Sequence, residues 1–367
     1  MTGGAAPPPA LAWLQALREP ALVLDWDLAR WEHVIRLARR LRLLGRLAQA
    51  VCAADLLPKV PAPAARHLQA ELRYATWRSD GLAWVLERLP AMLGEVSYPL
   101  VLLKGAAYMG QGLAIGRGRL SSDVDMLVPI EHIADAHARL LGAGWQETAL
   151  DAHDQRYYRD WSHELPPMQH PLHGLELDLH HNILPPVART HVDASMLLAR
   201  LQPSRWPQWQ VLAPQDQVLH SAAHLFHDSE LRDRVRDLVD LDGLLRHFGA
   251  TPQFWGGLVE RASALGLHES LALALHFCTQ WLGTPVPLAA LADAQRRGLS
   301  RAKARWLLPL LQAVLWPTDP DQLPSRNQAL AARTLLLRHH LGRMPLGLLL
   351  PHIWHKLRPG GARVASN

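Results

Sequence analysis

Residues 99 to 130, PLVLLKGAAYMGQGLAIGRGRLSSDVDMLVPI, set two short apolar runs on either side of a small-residue segment and a Gly-rich loop. Leu100-Val101-Leu102-Leu103 has the length and composition of a buried strand. It ends at Lys104-Gly105, where small residues take up a helical pattern, and a Gly-rich loop runs from Gly110 to Gly118. Arg119-Leu120-Ser121-Ser122-Asp123-Val124-Asp125 then leads into a second apolar strand, Met126-Leu127-Val128, which Pro129 stops. The strand–helix–strand order makes this part of the chain α+β, although most of the remainder reads as helix.

In a strand, residues i and i+2 point to one side, so Asp123 and Asp125 share a face. Two carboxylates so placed repel and raise one another's pKa. A divalent cation removes that conflict, and hard oxygen donors of this kind suit Mg²⁺, which commonly takes one or two carboxylates together with substrate phosphates. Lys104-Gly105 at a strand-to-helix junction suits a phosphate. Glycine lets the backbone approach closely, the helix N-terminus offers free N–H groups, and lysine adds a point charge.

Lys-Gly-Ala followed by Arg-x-Ser-x-Asp-x-Asp and Leu-Val resembles the nucleotidyltransferase fold of the DNA polymerase β superfamily. The resemblance is strongest to a bacterial branch of uncharacterised nucleotidyltransferases, and the pattern is shared with abortive-infection toxin nucleotidyltransferases. The usual Gly-Ser after the first strand is Lys104-Gly105-Ala106 here. The family has a third carboxylate on a later strand, in an Asp-Leu-His setting, and Asp178-Leu179-His180 matches it residue by residue. The surrounding Leu175 to His180 alternates strictly, with Leu175, Leu177 and Leu179 toward the core and Glu176, Asp178 and His180 the other way. A strand slip would exchange Glu176 and Asp178.

The resemblance implies transfer of a nucleoside monophosphate from an NTP to an acceptor, a small molecule, a protein side chain or an RNA end. Asp123, Asp125 and Asp178 would be the catalytic residues and would hold two Mg²⁺ ions. Lys104, Gly105, Arg119, Ser121 and Ser122 would contact the nucleotide. Arg119 could equally pair with Asp123, and the two serines could cap a turn. A different class of function is a non-catalytic nucleotide- or partner-binding module of a biosynthetic or regulatory system. A toxin acting on tRNA is a third.

The chain has 367 residues, is 49% hydrophobic and 6% aromatic, and carries a net charge of +5 with no long Lys/Arg run. RNA is therefore a permitted partner, not an indicated one. The two cysteines, Cys52 and Cys278, lie in apolar helical contexts, which fits a reducing cytoplasm. The N-terminus lacks the basic and long apolar regions of a signal peptide, and no apolar run reaches the length of a membrane helix.

Five segments are expected: a tail over 1–10, a helical segment over 11–97, the nucleotidyltransferase core over 98–212, a larger all-helical domain over 213–357, and a tail over 358–367. Leu28, Trp31, Ile35, Ala38, Leu41 and Leu44 form the stripe of an amphipathic helix. A helix or helix pair is expected over Ala64–Gly94, helices over Ala289–Leu315 and Asn327–Leu341, strand at Arg156–Arg159, and irregular chain over Pro185–Pro214. His220, His224 and His227 at helical spacing are open to three readings: a metal set, neighbours of the active cleft, or packing. Arg236 and Asp240 have the spacing of an ion pair one turn apart.

Overall fold

The computed structural model describes residues 9–343 apart from 151–157, 159, 160 and 173. Helix α1 (Leu28–Arg40) starts where the Asp27 carboxylate accepts the N–H of Arg30, satisfying one of the free amides of a first turn. Its stripe buries Trp31, Ile35 and Ala38, whereas Leu28 stays exposed. Helix α2 (Leu44–Ala53) follows. Helix α3 (Ala62–Leu93) is continuous, and Gly94 ends it with φ +72°.

The strand region runs β1 (Leu100–Leu102), α4 (Lys104–Gly110), β2 (Asp123–Leu127), α5 (Ile133–Gly142), β3 (Gln146–Glu147), β4 (Met168–Gln169), β5 (Glu176–His180), α6 (Ala194–Leu198), β6 (Gln202–Pro203) and β7 (Trp209–Val211). The strands form one seven-stranded sheet in the order β3-β4-β5-β2-β1-β7-β6. β2 is antiparallel to β1 and parallel to β5, and β7 is parallel to β1. The fold is thus α+β with a mixed sheet. The segment expected to be irregular supplies α6 and two strands, because Trp209 and Val211 bury their side chains in the sheet core and Trp209 donates its indole N–H to the carbonyl of Leu86 at 2.7 Å. The strand expected at Arg156–Arg159 falls, but for Tyr158, outside the described residues.

The remaining helices are α7 (Pro214–Phe226), α8 (Val235–Phe248), α9 (Pro252–Ala264), α10 (His268–Leu282), α11 (Leu288–Gly298), α12 (Arg301–Leu315) and α13 (Arg326–Arg343). The helix expected over Ala289–Leu315 is divided at Leu299-Ser300, where the Ser300 hydroxyl accepts the N–H of Lys303 at 3.2 Å and caps α12. Among the described residues no helix is long and apolar enough to cross a membrane.

Period-two alternation gives the sheet two different faces. Leu100, Leu102, Val124, Met126, Leu177 and Leu179 pack with Leu86, Leu89 and Leu93 of α3 and with Ala136 and Leu140 of α5. Val101 and Leu127, on the other face, join a larger core built from the helices before and after the sheet together. Polar links tie the same two groups of helices. Arg46 of α2 pairs with Asp240 of α8, and Arg40 of α1 lies 2.8 Å from Asp233.

The Gly-rich loop is clasped from two sides. A Cβ at Gly45 would collide with the carbonyl of Gly118, and one at Gly118 with the carbonyl of Gly45, so α2 and the loop meet backbone to backbone. A Cβ at Gly243 of α8 would strike the side chain of Ile115. Gly118 is therefore explained by close packing as well as by its φ of +68°, whereas Gly112, with φ +67° and open space around it, serves the turn alone.

Candidate active site

The parallel register of β2 and β5 sets Asp123 beside Glu176, Asp125 beside Asp178 and Leu127 beside His180. Asp178, and not Glu176, is the neighbour of the inner aspartate. Glu176 sits at the outer end, where the side-chain amide of Gln169 donates to it at 3.4 Å. Asp125 is buried, whereas Asp123 and Asp178 are half-buried.

Lys104 stands where β1 turns into α4. It has φ +42°, a left-handed conformation uncommon for a residue with a side chain. The turn aims its ammonium at the acids, and Nζ donates to Asp125 Oδ1 at 2.7 Å. His180 Nε2 lies 3.1 Å from the same oxygen. Lys104 thus pairs directly with the inner carboxylate.

The charges of the cluster are unequal. Burial would push Asp125 up, but Lys104 and the hydrogen bond from His180 hold it well below the usual carboxylate range. Burial and the neighbouring carboxylates of Asp125, Glu164 and Asp123 push Asp178 well above it. Burial lowers Lys104, and Asp125 and Asp123 more than reverse that, so its pKa is raised. Asp178 is therefore an acid crowded by other acids, the arrangement that a cation relieves. Donor atoms of Asp125, Asp178 and His180 lie within 4.8 Å of one another.

The other expected nucleotide contacts have protein partners. Arg119 is buried, with Nε donating to Asp240 Oδ2 at 3.1 Å and Nη1 to Ser121 Oγ at 2.7 Å. Asp240 also receives Arg46, and between them the two arginines hold its carboxylate low against the upward push of burial. The expected partner of Asp240, Arg236 one turn before it, donates instead to the carbonyl of Leu120 at 3.3 Å. The correction has a simple cause: two arginines from distant elements converge on a buried carboxylate. A Cβ at Gly105 would run into the Arg119 guanidinium and the Ser121 hydroxyl, so Gly105 is small because this network lies against it. Ser122 is exposed and faces a separate groove with Arg78 and Glu176.

Beside Lys104 opens a cavity of about 600 Å³. Its walls include Glu164, Ile183, His220, His224, Phe226 and Arg338. The three histidines at helical spacing all line it, so they neighbour the cleft. Burial first, then Lys104, lowers His220 to about 3 and His224 well below its ordinary value, so both rings are neutral at pH 7.

A family model described as uncharacterised nucleotidyltransferase matches residues 27–283. The chain belongs to this nucleotidyltransferase family. The match begins at Asp27, the cap of α1, and ends at Gly283, the left-handed cap of α10, so it takes in helices on both sides of the sheet. No curated protein and no solved structure matches the chain. Within this nucleotidyltransferase framework, sequence reading missed Glu164, whose carboxylate meets the cluster, and Arg46. For Arg46 a signal existed: it is a charge set among the buried Leu43, Leu44 and Leu47. Glu164 carried none, since it lies in a short His-Glu-Leu-Pro segment with no periodicity.

Proposed function

We propose that the chain transfers a nucleoside monophosphate from an NTP to an acceptor hydroxyl, with Asp123, Asp125 and Asp178 as catalytic residues holding two Mg²⁺ ions. The observation that carries this reading is the pairing of Asp125 with Asp178 across parallel strands, with Asp178 pushed up by the carboxylates around it. That donor set, all carboxylate oxygen at its centre, fits Mg²⁺. Bound there, Mg²⁺ would neutralise charge on the triphosphate and on the attacking and leaving oxygens of an in-line displacement.

Each residue has a role of its own. Asp125 anchors the set, held ionised by Lys104 and His180. Asp178 faces the acceptor and takes part in removing its proton. The bond formed joins the acceptor oxygen to the α-phosphorus, and the bond broken releases pyrophosphate. Lys104 passes from Asp125 to the phosphates when the nucleotide arrives, and the N–H groups at the start of α4 face the same charge. Arg119 and Ser121 hold Gly105 in position from beneath. The cavity walled by α7, α12 and α13 receives the acceptor. We place the protein in the cytoplasm, where the buried Cys278 stays reduced.

A second reading, a nucleotide-binding module without catalysis, draws on the Lys104–Asp125 bond, which already satisfies the inner carboxylate. Incubating the protein with each α-phosphate-labelled NTP, Mg²⁺ and a pool of small molecules, proteins and RNA separates the two. Label transferred with matching pyrophosphate, and lost in Asp178→Asn, supports the enzyme. NTP bound without any transfer supports the module.

A further inference from the structure

Residues 163–165 run antiparallel to the end of β5. Glu164 faces His180 across an isolated bridge, Leu165 donates its N–H to the carbonyl of Leu179 at 2.9 Å, and His181 donates its N–H to the carbonyl of His163 at 2.9 Å. Residues opposite one another in an antiparallel pair send their side chains to the same side. The backbone therefore presses the Glu164 carboxylate toward the His180 ring, with Oε2 3.3 Å from Nδ1. His163 Nε2 lies 3.8 Å from the same oxygen. One donor atom from each of the three residues falls within 4.8 Å of the other two. Around a tetrahedral ion with bonds of about 2.0–2.2 Å, neighbouring donors stand about 3.3–3.6 Å apart.

The His180 ring explains why an ion belongs there. Its side chain is 2% exposed, and Nε2 faces Asp125 Oδ1, a carboxylate oxygen that can only accept. With its hydrogen at Nε2, the ring presents the Nδ1 lone pair to a ligand. That lone pair points at another carboxylate oxygen, and Nδ1 makes no hydrogen bond. The buried Nδ1 and the Glu164 carboxylate face each other at the wall of the cavity. A cation between them turns the conflict into ligation. The order carboxylate, imidazole, metal is also the arrangement by which proteins fix the tautomer and direction of a ligating histidine.

We infer that His163, Glu164 and His180 form a binding site for a transition-metal ion of the Zn²⁺ class, separate from the three-aspartate set and joined to it through the His180 ring. Two imidazoles and one carboxylate suit such an ion and do not suit Mg²⁺, which prefers oxygen. Three protein ligands leave a fourth position. His163 and Glu164 both line the cavity beside Lys104, so that position faces the cavity, where it takes water or an anionic or nitrogen donor of whatever the cavity holds.

The test uses the full chain stripped of metal with a chelator. Co²⁺ is titrated in and followed by its visible absorption, and Zn²⁺ affinity is measured against a chromophoric chelator. The expected result is one equivalent of each, an intense tetrahedral Co²⁺ spectrum, and affinity lowered at least tenfold in Glu164→Gln and in His163→Gln. Asp123→Asn should bind Zn²⁺ as the wild type does, which separates this site from the Mg²⁺ proposal. Thermal unfolding of each metal-free variant confirms that it is folded, and only the proteins that bind should gain stability with Zn²⁺. The inference is overturned if the wild type takes up no stoichiometric metal, as an imidazolium bridging Asp125 and Glu164 would require. It is overturned equally if the Glu164 and His163 variants bind like the wild type, or if Asp123→Asn loses the ion as they do.

Discussion

Asp125 and Asp178 stand side by side on parallel strands, and their environments drive them apart: Lys104 and His180 hold the first well below the usual carboxylate range, while burial and the surrounding carboxylates push the second well above it. A folded protein tolerates such crowding at a site selected for something other than stability. Asp178→Asn should therefore raise the unfolding free energy of the metal-free protein by about 0.5–2 kcal/mol while lowering nucleotidyl transfer about a hundredfold or more. The sign with pH follows from the raised pKa. The folded state holds the Asp178 proton more tightly than the unfolded chain, so its contribution is full below the unfolded value and is lost as pH rises through the folded one. The stability gap between Asp178→Asn and wild type should widen with rising pH in urea titrations without metal, and narrow when Mg²⁺ is added.

Lys104 bonds Asp125, and in the proposed mechanism it also meets the phosphates. Lys104→Met removes a charge-assisted hydrogen bond worth roughly 1.5–3 kcal/mol, so NTP affinity should fall about ten- to hundredfold. Calorimetry on the folded variant checks this, and unaltered affinity would mean that Lys104 serves Asp125 alone.

Asp240 is the buried counter-charge of Arg46 and Arg119. Truncating it leaves two guanidinium groups without their partner in the core. Asp240→Ala should cost about 3–5 kcal/mol in urea unfolding, the scale for breaking a buried ion pair. Because Arg119 braces Ser121 and Gly105, the variant should also weaken NTP binding at temperatures where it remains folded.

His220 is buried neutral, with its pKa depressed to about 3. The unfolded chain takes up that proton near pH 6.5, so folding stability should fall as pH drops from about 6.5 toward 3, at up to about 1.4 kcal/mol per pH unit for this one group. His220→Gln should remove that share of the slope. Unfolding free energies between pH 6.5 and pH 5, above the main carboxylate range, give the cleanest comparison.

Much of this site was legible because its signals are local. The alternation of Leu175 to His180 places Asp178 on a strand face with no knowledge of the partner, and Asp123-x-Asp125 after a strand–helix unit does the same. Pairings across the chain were not legible. β7 is three residues between prolines and becomes a strand only because β1, far away in sequence, is there to receive it. The helical spacing rule sees neighbours on one helix, so it offered Asp240 to Arg236, whereas tertiary packing brings Arg46 and Arg119. Glu164 has no periodicity to betray it, and its role depends on a single bridge to His180.

The most direct test of the central claim is calorimetric titration of the full chain with ATP, GTP, CTP and UTP, with Mg²⁺ and with chelator, on wild type and on Asp125→Asn. Metal-dependent binding of at least one NTP, lost in the variant, is the predicted result. A folded wild-type protein that binds none of the four in Mg²⁺ would contradict it.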